Sequence, residues 1–481
     1  MSAIETAIEM TTREGGRTRV GPEAVDDLRG ALAGPLLASP DPGYDAARTA
    51  FNGAFDKRPG LIARCRGTSD VVEAMRFARR YDLLVAVRGG GHSVAGKSSC
   101  DGGLLVDLSP TRAVLVDPAR RRAEVQGGAT WGDVDRETQL HGLAAPGGIV
   151  SHTGVAGLTL NGGIGWLRNR FGLACDNLVA AEVVTAVGEV VTASEAERPE
   201  LLWGLRGGGG NFGVVTRFTF ALHPVGPEVA AVFAFYPLEE GEEVVRRWRD
   251  WAEAAPAEVT SEVVLWTAPD VEGLPPGARG RRVAVPGAVY AGPPEEGERV
   301  LAPLLELGER LGEIAGTMPF RGVQQAFDPF FPNTGEIRGY WKSLHVPALS
   351  DEAIALLLHA AAERTSEESM VVAEHVGAAV REVPPEATAF AARDAAYIVN
   401  FMATWREPTE GREHVGWARE VWDGLVPHST GAPYLNFLGE EGGGSGELVR
   451  RAFGPNYDRL VALKRGVDPD NVFRLNQNVA P

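Results

Sequence analysis

The alternation of apolar and polar positions divides the chain into short segments of changing period. From residue 61 the run "LIARC" reads as a strand, and Asp70 with Glu73 marks the start of a helix after it. "LLVAVR" is a β-branched run that stops at a glycine turn, and "GGLLVDLS" is a second strand. "RAVLVDPARRRAEVQGG" predicts a hairpin around Asp117 and Pro118. Upstream, "GPEAVDDLRGALAG" predicts a short helix with Pro22 near its first turn and Gly34 beyond its end, and residues 1–20 are expected to be a frayed terminus. Thr130 and Asp133 form a capping-box start whose helix stops at Gly142. "LVAAEVVTAVGEVVTAS" reads as two strands across a Val-Gly turn, and "LWGLRGGGGNFGVVTRFTFALHPV" runs a glycine cluster into a strand.

From about residue 228 to 430 the pattern changes. Longer helical stretches, "EEGERVLAPLLELGERLGEIAG" and "DEAIALLLHAAAERT", interleave with strands such as "SMVVAEHVGAAV" and "AAYIVNFMATW". This shift sets the expected boundaries: a first region 1–227, a central region 228–430 and a C-terminal segment 431–481. In the last, "EEGGGSGE" reads as a mobile loop.

Composition narrows the class. A chain of 481 residues is long enough for two or three domains, and 44% hydrophobic with 23% charged residues is ordinary for a soluble globular protein. A formal charge of −17 argues against nucleic acid and anionic membrane as partners. Cys65, Cys100 and Cys175 are irregularly spaced, so they signal neither a disulfide framework nor a metal site. The first residues lack the apolar core of a signal peptide, and no apolar run approaches the ~18 residues of a membrane span. A cytoplasmic protein is expected.

The 60 glycines are clustered. "VAVRGGGHSVAGKSS" is one of four glycine-rich turns within about 130 residues, each beside an apolar strand. One such turn means only a tight bend. Four of them, with exposed backbone N–H groups, point to a large anionic cofactor. There is no G-x-x-x-x-G-K-[ST], and "GGGGNFG" precedes a strand rather than a helix, so the P-loop and Rossmann readings fail. The absence of H-E-x-x-H, C-x-x-C and G-x-S-x-G leaves zinc and serine hydrolysis without support.

Four segments in order, "VRGGGHS", "PGGIVSHTGVAGLTLNGGIGWLRNRFGLACDNLVAAEVVTAVGEVV", "LRGGGGNFGVVTRF" and "NYDRLVALKRGVDPDNVFRLNQNVAP", resemble signatures of one family. It is the berberine-bridge-enzyme-like group of FAD-linked oxidases in the vanillyl-alcohol-oxidase superfamily. The resemblance spans roughly residues 50–225 and 430–481. It implies an α+β fold: a two-part PCMH-type FAD-binding domain, plus a substrate domain whose antiparallel sheet is covered by helices. His92 matches the histidine that the family bonds to the flavin 8α-methyl carbon, with Arg88, Gly89, Gly90, Gly91 and Ser93 around it. The resemblance further places Gly148, Ser151, His152, Thr153, Gly154, Gly157, Gly162 and Gly163 along the cofactor, and Asn436 facing the flavin.

Two departures shape the expected chemistry. Where many relatives carry a second tethering cysteine this chain has Val150, so a single covalent link through His92 is expected. Where many relatives have a Tyr-x-Asn-Tyr strand whose second tyrosine is the base, this chain reads "YLNF", and Phe437 has no hydroxyl. Tyr434, Tyr397, Asn400, His375 and His152 are the remaining candidates, although strand alternation would turn Tyr434 away from the face of Phe437. Losing that hydroxyl shifts weight toward an amine, which needs less help from a base than an alcohol does. The expected activity is oxidation of a small alcohol, sugar, amine or secondary metabolite, with O2 as acceptor and hydrogen peroxide as product. A dehydrogenase with another acceptor and a non-catalytic flavin-binding protein are the alternatives.

Overall fold

The β-branched run after residue 84 forms the strand Val85–Arg88, which lies parallel to Leu104–Asp107. That strand is parallel in turn to Leu61–Arg64, and Leu36–Leu37 completes a four-stranded sheet. Between them runs the helix Thr68–Arg80, whose Val71, Ala74, Met75 and Ala78 are buried. Its buried Asp70 accepts the backbone N–H groups of Ala33 (2.8 Å), Gly34 (3.0 Å) and Arg66 (2.8 Å). The chain described is residues 6–441 and 445–481 of a computed structural model.

A second sheet is antiparallel, in the order Val190–Ser194, Leu178–Val184, Val214–Ala221, Arg122–Gln126, Val114–Asp117. It contains the expected hairpin about Asp117 and Pro118. Thr130 caps the helix Trp131–Thr138 as the sequence predicts, its N–H donating to the Asp133 carboxylate at 2.9 Å. Leu435, Leu460 and Val479 from the chain's end share a core with Trp131, Phe212 and Phe218.

The third sheet has seven antiparallel strands in the order Gly312–Pro319, Glu228–Pro237, Arg282–Tyr290, Val259–Thr267, Met370–His375, Tyr397–Trp405, Arg338–Val346. Its central strands are buried on both faces, so they read as apolar runs rather than alternating ones. Helices Gly241–Ala254, Asp351–Ala362 and Gly411–Leu425 cover one face, where Val371, Val399 and Phe401 pack. The other face presents Val264, Met370, Val372 and Met402 toward Phe51, Val94 and Trp166 of the first region. The result is the expected α+β architecture. Among the described residues no helix is long and apolar enough to cross a membrane.

Four local expectations are corrected. Residues 8–20 are not frayed: Ile8–Thr11 and Arg17–Val20 form a hairpin with Met10 and Val20 fully buried. Thr11 extends it by pairing with Gly102 and Leu84, contacts too distant in sequence to be read from four-residue strands. Residues 1–5 lie outside the described chain. The long helix expected over 295–316 is only Pro294–Leu301, because Pro303 has no N–H to continue it; Gly312–Pro319 is an edge strand. "YLNF" is not a strand but a 3₁₀ turn, Leu435–Phe437. Of the loop expected in "EEGGGSGE", residues 442–444 lie outside the described chain, and a helix, Ser445–Phe453, follows.

Candidate active site

Two of the glycine-rich loops cross backbone to backbone at the floor of a cavity of about 320 Å³. A Cβ on Gly90 would stand 2.5 Å from the N and Cα of Gly154, so neither position admits a side chain. The glycines therefore answer first to each other, and only through that crossing to a ligand. Gly89, Gly90, Gly91, Gly148, Thr153, Gly154 and Gly157 all line the cavity, as does Ser93, whose Oγ accepts the Lys97 N–H at 3.0 Å. Gly210 and Gly213 of the third cluster and Asn476 of the C-terminal tail complete the floor, with the Asn476 amide donating to the Gly210 carbonyl at 2.9 Å.

Arg88 does not reach this cavity. Its guanidinium donates to the carbonyls of Ala47, Arg48 and Thr49, clamping the start of the loop to an earlier turn. Its placement makes it a support for the loop rather than a ligand contact. Asn52 adds a second clamp, because its amide bridges the carbonyls of Val94 (2.6 Å) and Gly339 (2.7 Å) and ties floor to roof.

His92 lines the cavity with its ring stacked on Phe51, centroids 3.9 Å apart and planes 15° from parallel. Its Nε2 is buried without a hydrogen-bond partner. Burial first, and the neighbouring His152 second, push its pKa down to about 3, so the imidazole is neutral. His152 stands behind it, ring centroids 5.0 Å apart, and burial lowers it too. Ser151 is held away from the cavity: its N–H donates to the Asp328 carboxylate at 2.7 Å, and its hydroxyl does the same.

The roof is the inner face of the seven-stranded sheet. Period-two alternation sends Met370, Val372 and Glu374 of one strand, and Asn400 and Met402 of the next, into the cavity. Asn400 is 1% exposed and its Oδ1 has no partner. The same alternation turns Tyr397 the other way, onto Trp248 and into a hydrogen bond with Glu253 at 2.9 Å. His375 is likewise turned out of the cavity; its carbonyl accepts from Arg168 and its Nδ1 lies 3.2 Å from the Asn169 amide. These two tyrosine and histidine candidates are thus separated from Asn400 by the pleat.

The 3₁₀ turn after Tyr434 puts Asn436 and Phe437 in the cavity wall and leaves Tyr434 behind it. The Tyr434 hydroxyl accepts from the Gly163 N–H (3.0 Å) and from the Asn436 amide (2.8 Å). Burial raises its pKa further, so it orients Asn436 instead of taking a proton. Gly162 and Gly163 sit in this second layer, where a Cβ would meet Phe390 or Ala174. Glu262, Glu374 and Arg168 are cavity residues that the sequence reading missed. The signal for the two glutamates was a charge inside an otherwise apolar strand, "SEVVLW" and "MVVAEH"; Arg168, at the start of the helix Arg168–Phe171, had none.

The residues present fit FAD. His92 Nε2, Ser98 Oγ, Asn161 Oδ1 and Asn476 Oδ1 are buried, unpartnered and all belong to residues of this one cavity. Unpaired polar atoms of native proteins are few, and their convergence on glycine loops suits a large polar ligand. Among the described residues no group of three His, Cys, Asp or Glu side chains gathers to hold a metal ion.

Comparison with known proteins agrees with this geometry. Residues 59–194 match a family model described as an FAD binding domain, and residues 433–480 one described as berberine and berberine like. The chain is 31% identical over 455 residues to the FAD-linked oxidoreductase YgaK of Bacillus subtilis (strain 168), covering 94% of this chain and 97% of that one. It is 30% identical over 462 residues to (R)-6-hydroxynicotine oxidase of Paenarthrobacter nicotinovorans, with the same shares covered. The crystal structure of 6-hydroxy-D-nicotine oxidase from Arthrobacter nicotinovorans superposes with a TM-score of 0.83 at 30% identity, over 94% of this chain and 98% of that one. A chitooligosaccharide oxidase superposes with a TM-score of 0.82 at 23% identity, over 95% and 99%, and so shares the fold. The cavity, its glycine floor and these relatives together make the chain a member of the berberine-bridge-enzyme-like family of FAD-linked oxidoreductases.

Proposed function

We propose that the protein is an oxidase that holds FAD through one covalent bond at His92, oxidises a small organic molecule and passes the electrons to O2, giving hydrogen peroxide. His92 carries the reading: a neutral imidazole facing the cavity with a buried, unpartnered Nε2. Only an unprotonated nitrogen can form a bond to carbon, and burial keeps it unprotonated at any working pH. When bound, FAD supplies the two-electron acceptor. Support for a single link comes from Val150, which lines the cavity and stands where the resemblance implies a second tethering cysteine in many relatives. Cys65, Cys100 and Cys175 are buried elsewhere, and burial raises all three thiols.

The chain's own residues have three tasks in this reading. Asn436, steadied by Tyr434, and Asn400 offer hydrogen bonds from the wall and the roof. Trp341, Phe327, Phe331 and Phe437 exclude water from the space between. With phenylalanine at 437, no tyrosine hydroxyl serves there as base, which favours a substrate that loses its proton more readily than an alcohol. The oxidase named among the relatives supports the choice of O2.

Acid precipitation tests the tether: yellow colour is expected in the pellet, with the flavin mass on the peptide containing His92. Colour in the supernatant overturns the covalent bond, and a colourless protein that FAD does not reconstitute overturns the reading altogether. Oxygen uptake that catalase half reverses is expected with a substrate that bleaches the flavin.

A further inference from the structure

We propose that Glu262 and Glu374, with Asn400 beside them, form the binding site for a protonated amine in the cavity roof, and that the carboxyl pair takes the proton that leaves before oxidation. The oxidation itself rests on the reading above; the pair adds the substrate class and the fate of the proton.

Glu262 and Glu374 are direct partners across antiparallel strands, so both side chains leave the same face of the sheet. Both line the cavity, at 1% and 4% exposure. Each has an Oε2 with no hydrogen-bond partner, and among the described residues neither carboxyl forms an ion pair. Independently of the acids, the Asn400 Oδ1 is also buried, unpartnered and part of the same wall. The roof therefore offers several acceptors and asks for donors.

Arg168 is the cation facing the pair, and its guanidinium is committed elsewhere. It donates to the carbonyls of His375 (2.9 Å), Gly165 (3.1 Å) and Ser261 (2.8 Å). Tyr434, the other titratable group nearby, has its hydroxyl engaged by Gly163 and Asn436. His375 stands on the opposite face of its strand. Burial pushes both carboxyls upward, for Glu262 the like charge of Glu374 adds to it, and the Arg168 charge opposes the rise at both. Two carboxyls on one face resist ionising together, while Arg168 favours a negative charge there and an arriving ammonium would favour it further.

An ammonium meets these demands: it brings positive charge and two or three N–H donors. An alcohol brings one donor and a ketone none. Around the pair, Val264, Met370, Val372, Met402 and Trp341 are apolar, which suits a compact hydrocarbon or aromatic body. A sugar carries more hydroxyls than these few acceptors can take, and the rest would be buried against apolar side chains without partners. The proton balance is simple. One N–H bond of the ammonium breaks and its proton goes to whichever carboxyl of the pair is ionised; the lone pair left on nitrogen can then become the second bond of C=N, with bound FAD as the acceptor that would take the neighbouring C–H as hydride.

Calorimetry on the holoenzyme with benzylamine, 2-phenylpyrrolidine and benzyl alcohol at pH 7 tests this. At least one amine is expected to bind the wild type about tenfold or more tightly than the alcohol, the worth of one charge-assisted hydrogen bond. Glu262→Gln and Glu374→Gln are each expected to shrink that amine-over-alcohol preference to within about twofold. Amines that bind wild type no better than the alcohol overturn the proposal, whether or not the variants fold; so does a glutamine variant that keeps the preference. Flavin content, read separately by absorbance, judges the oxidase reading on its own.

Discussion

The backbones of Gly90 and Gly154 cross so closely that a methyl group on Gly154 would lie 2.4 Å from the Gly90 nitrogen. This contact joins two loops more than sixty residues apart in the chain and fixes the floor of the cavity. Gly154→Ala is therefore expected to overfill it, costing about 1–3 kcal/mol and loosening the floor. Thermal unfolding and flavin content of the purified variant check this. An alanine variant as stable and as yellow as the wild type would mean that the loops separate at no cost.

Tyr434→Phe removes an acceptor that serves two donors, the buried Gly163 N–H and the half-buried Asn436 amide. The expected loss is about 1–3 kcal/mol of stability. The pH profile of kcat should keep its shape, because the tyrosine orients and does not titrate. A profile that loses a limb would make Tyr434 the base after all.

Tyr397→Phe separates the two faces of the sheet. The hydroxyl bonds Glu253 on the helix side, so its loss should cost about 0.5–1.5 kcal/mol and leave turnover within about twofold. Denaturant unfolding together with steady-state rates measures both. A large fall in turnover at unchanged stability would contradict the placement.

Asp135 gives the protein a pH-dependent stability. It is 2% exposed, bonded to the Gln324 amide at 3.1 Å, and burial raises its pKa to about 7. The native state then holds a proton that the unfolded chain releases near pH 4, so stability falls as pH rises through the window from about 4 to 7. Asp135→Asn should flatten this slope, worth on the order of 1 kcal/mol per unit of pH. Melting temperatures of both proteins at pH 5 and 7.5 are the measurement; parallel slopes would refute it.

Much of this was legible in residues that act locally. The capping box at Thr130 and Asp133, the hairpin at Asp117 and the β-branched strand before the glycine turn all depend on neighbours within a few positions. The glycine loops and His92, which line one cavity, were legible as a group because their spacing is carried in short motifs. What escaped depends on distant partners. The hairpin at 8–20 is held by residues near 84 and 102, and the turn at "YLNF" by Gly163 far upstream. Asn400 and Tyr397 looked equivalent as polar residues on one strand until the pleat assigned them to opposite faces. Glu262 and Glu374 gained meaning only when strand pairing set them side by side.

The alternation along the roof strands has a further consequence. Val371, Val399 and Phe401 hold the sheet to its helices, while Val372, Glu374, Asn400 and Met402 line the cavity, and none of these residues does both. Every second position is thus a lock for the scaffold and every other one a key for chemistry. Re-cutting the keys would give this protein a new appetite without disturbing a single lock.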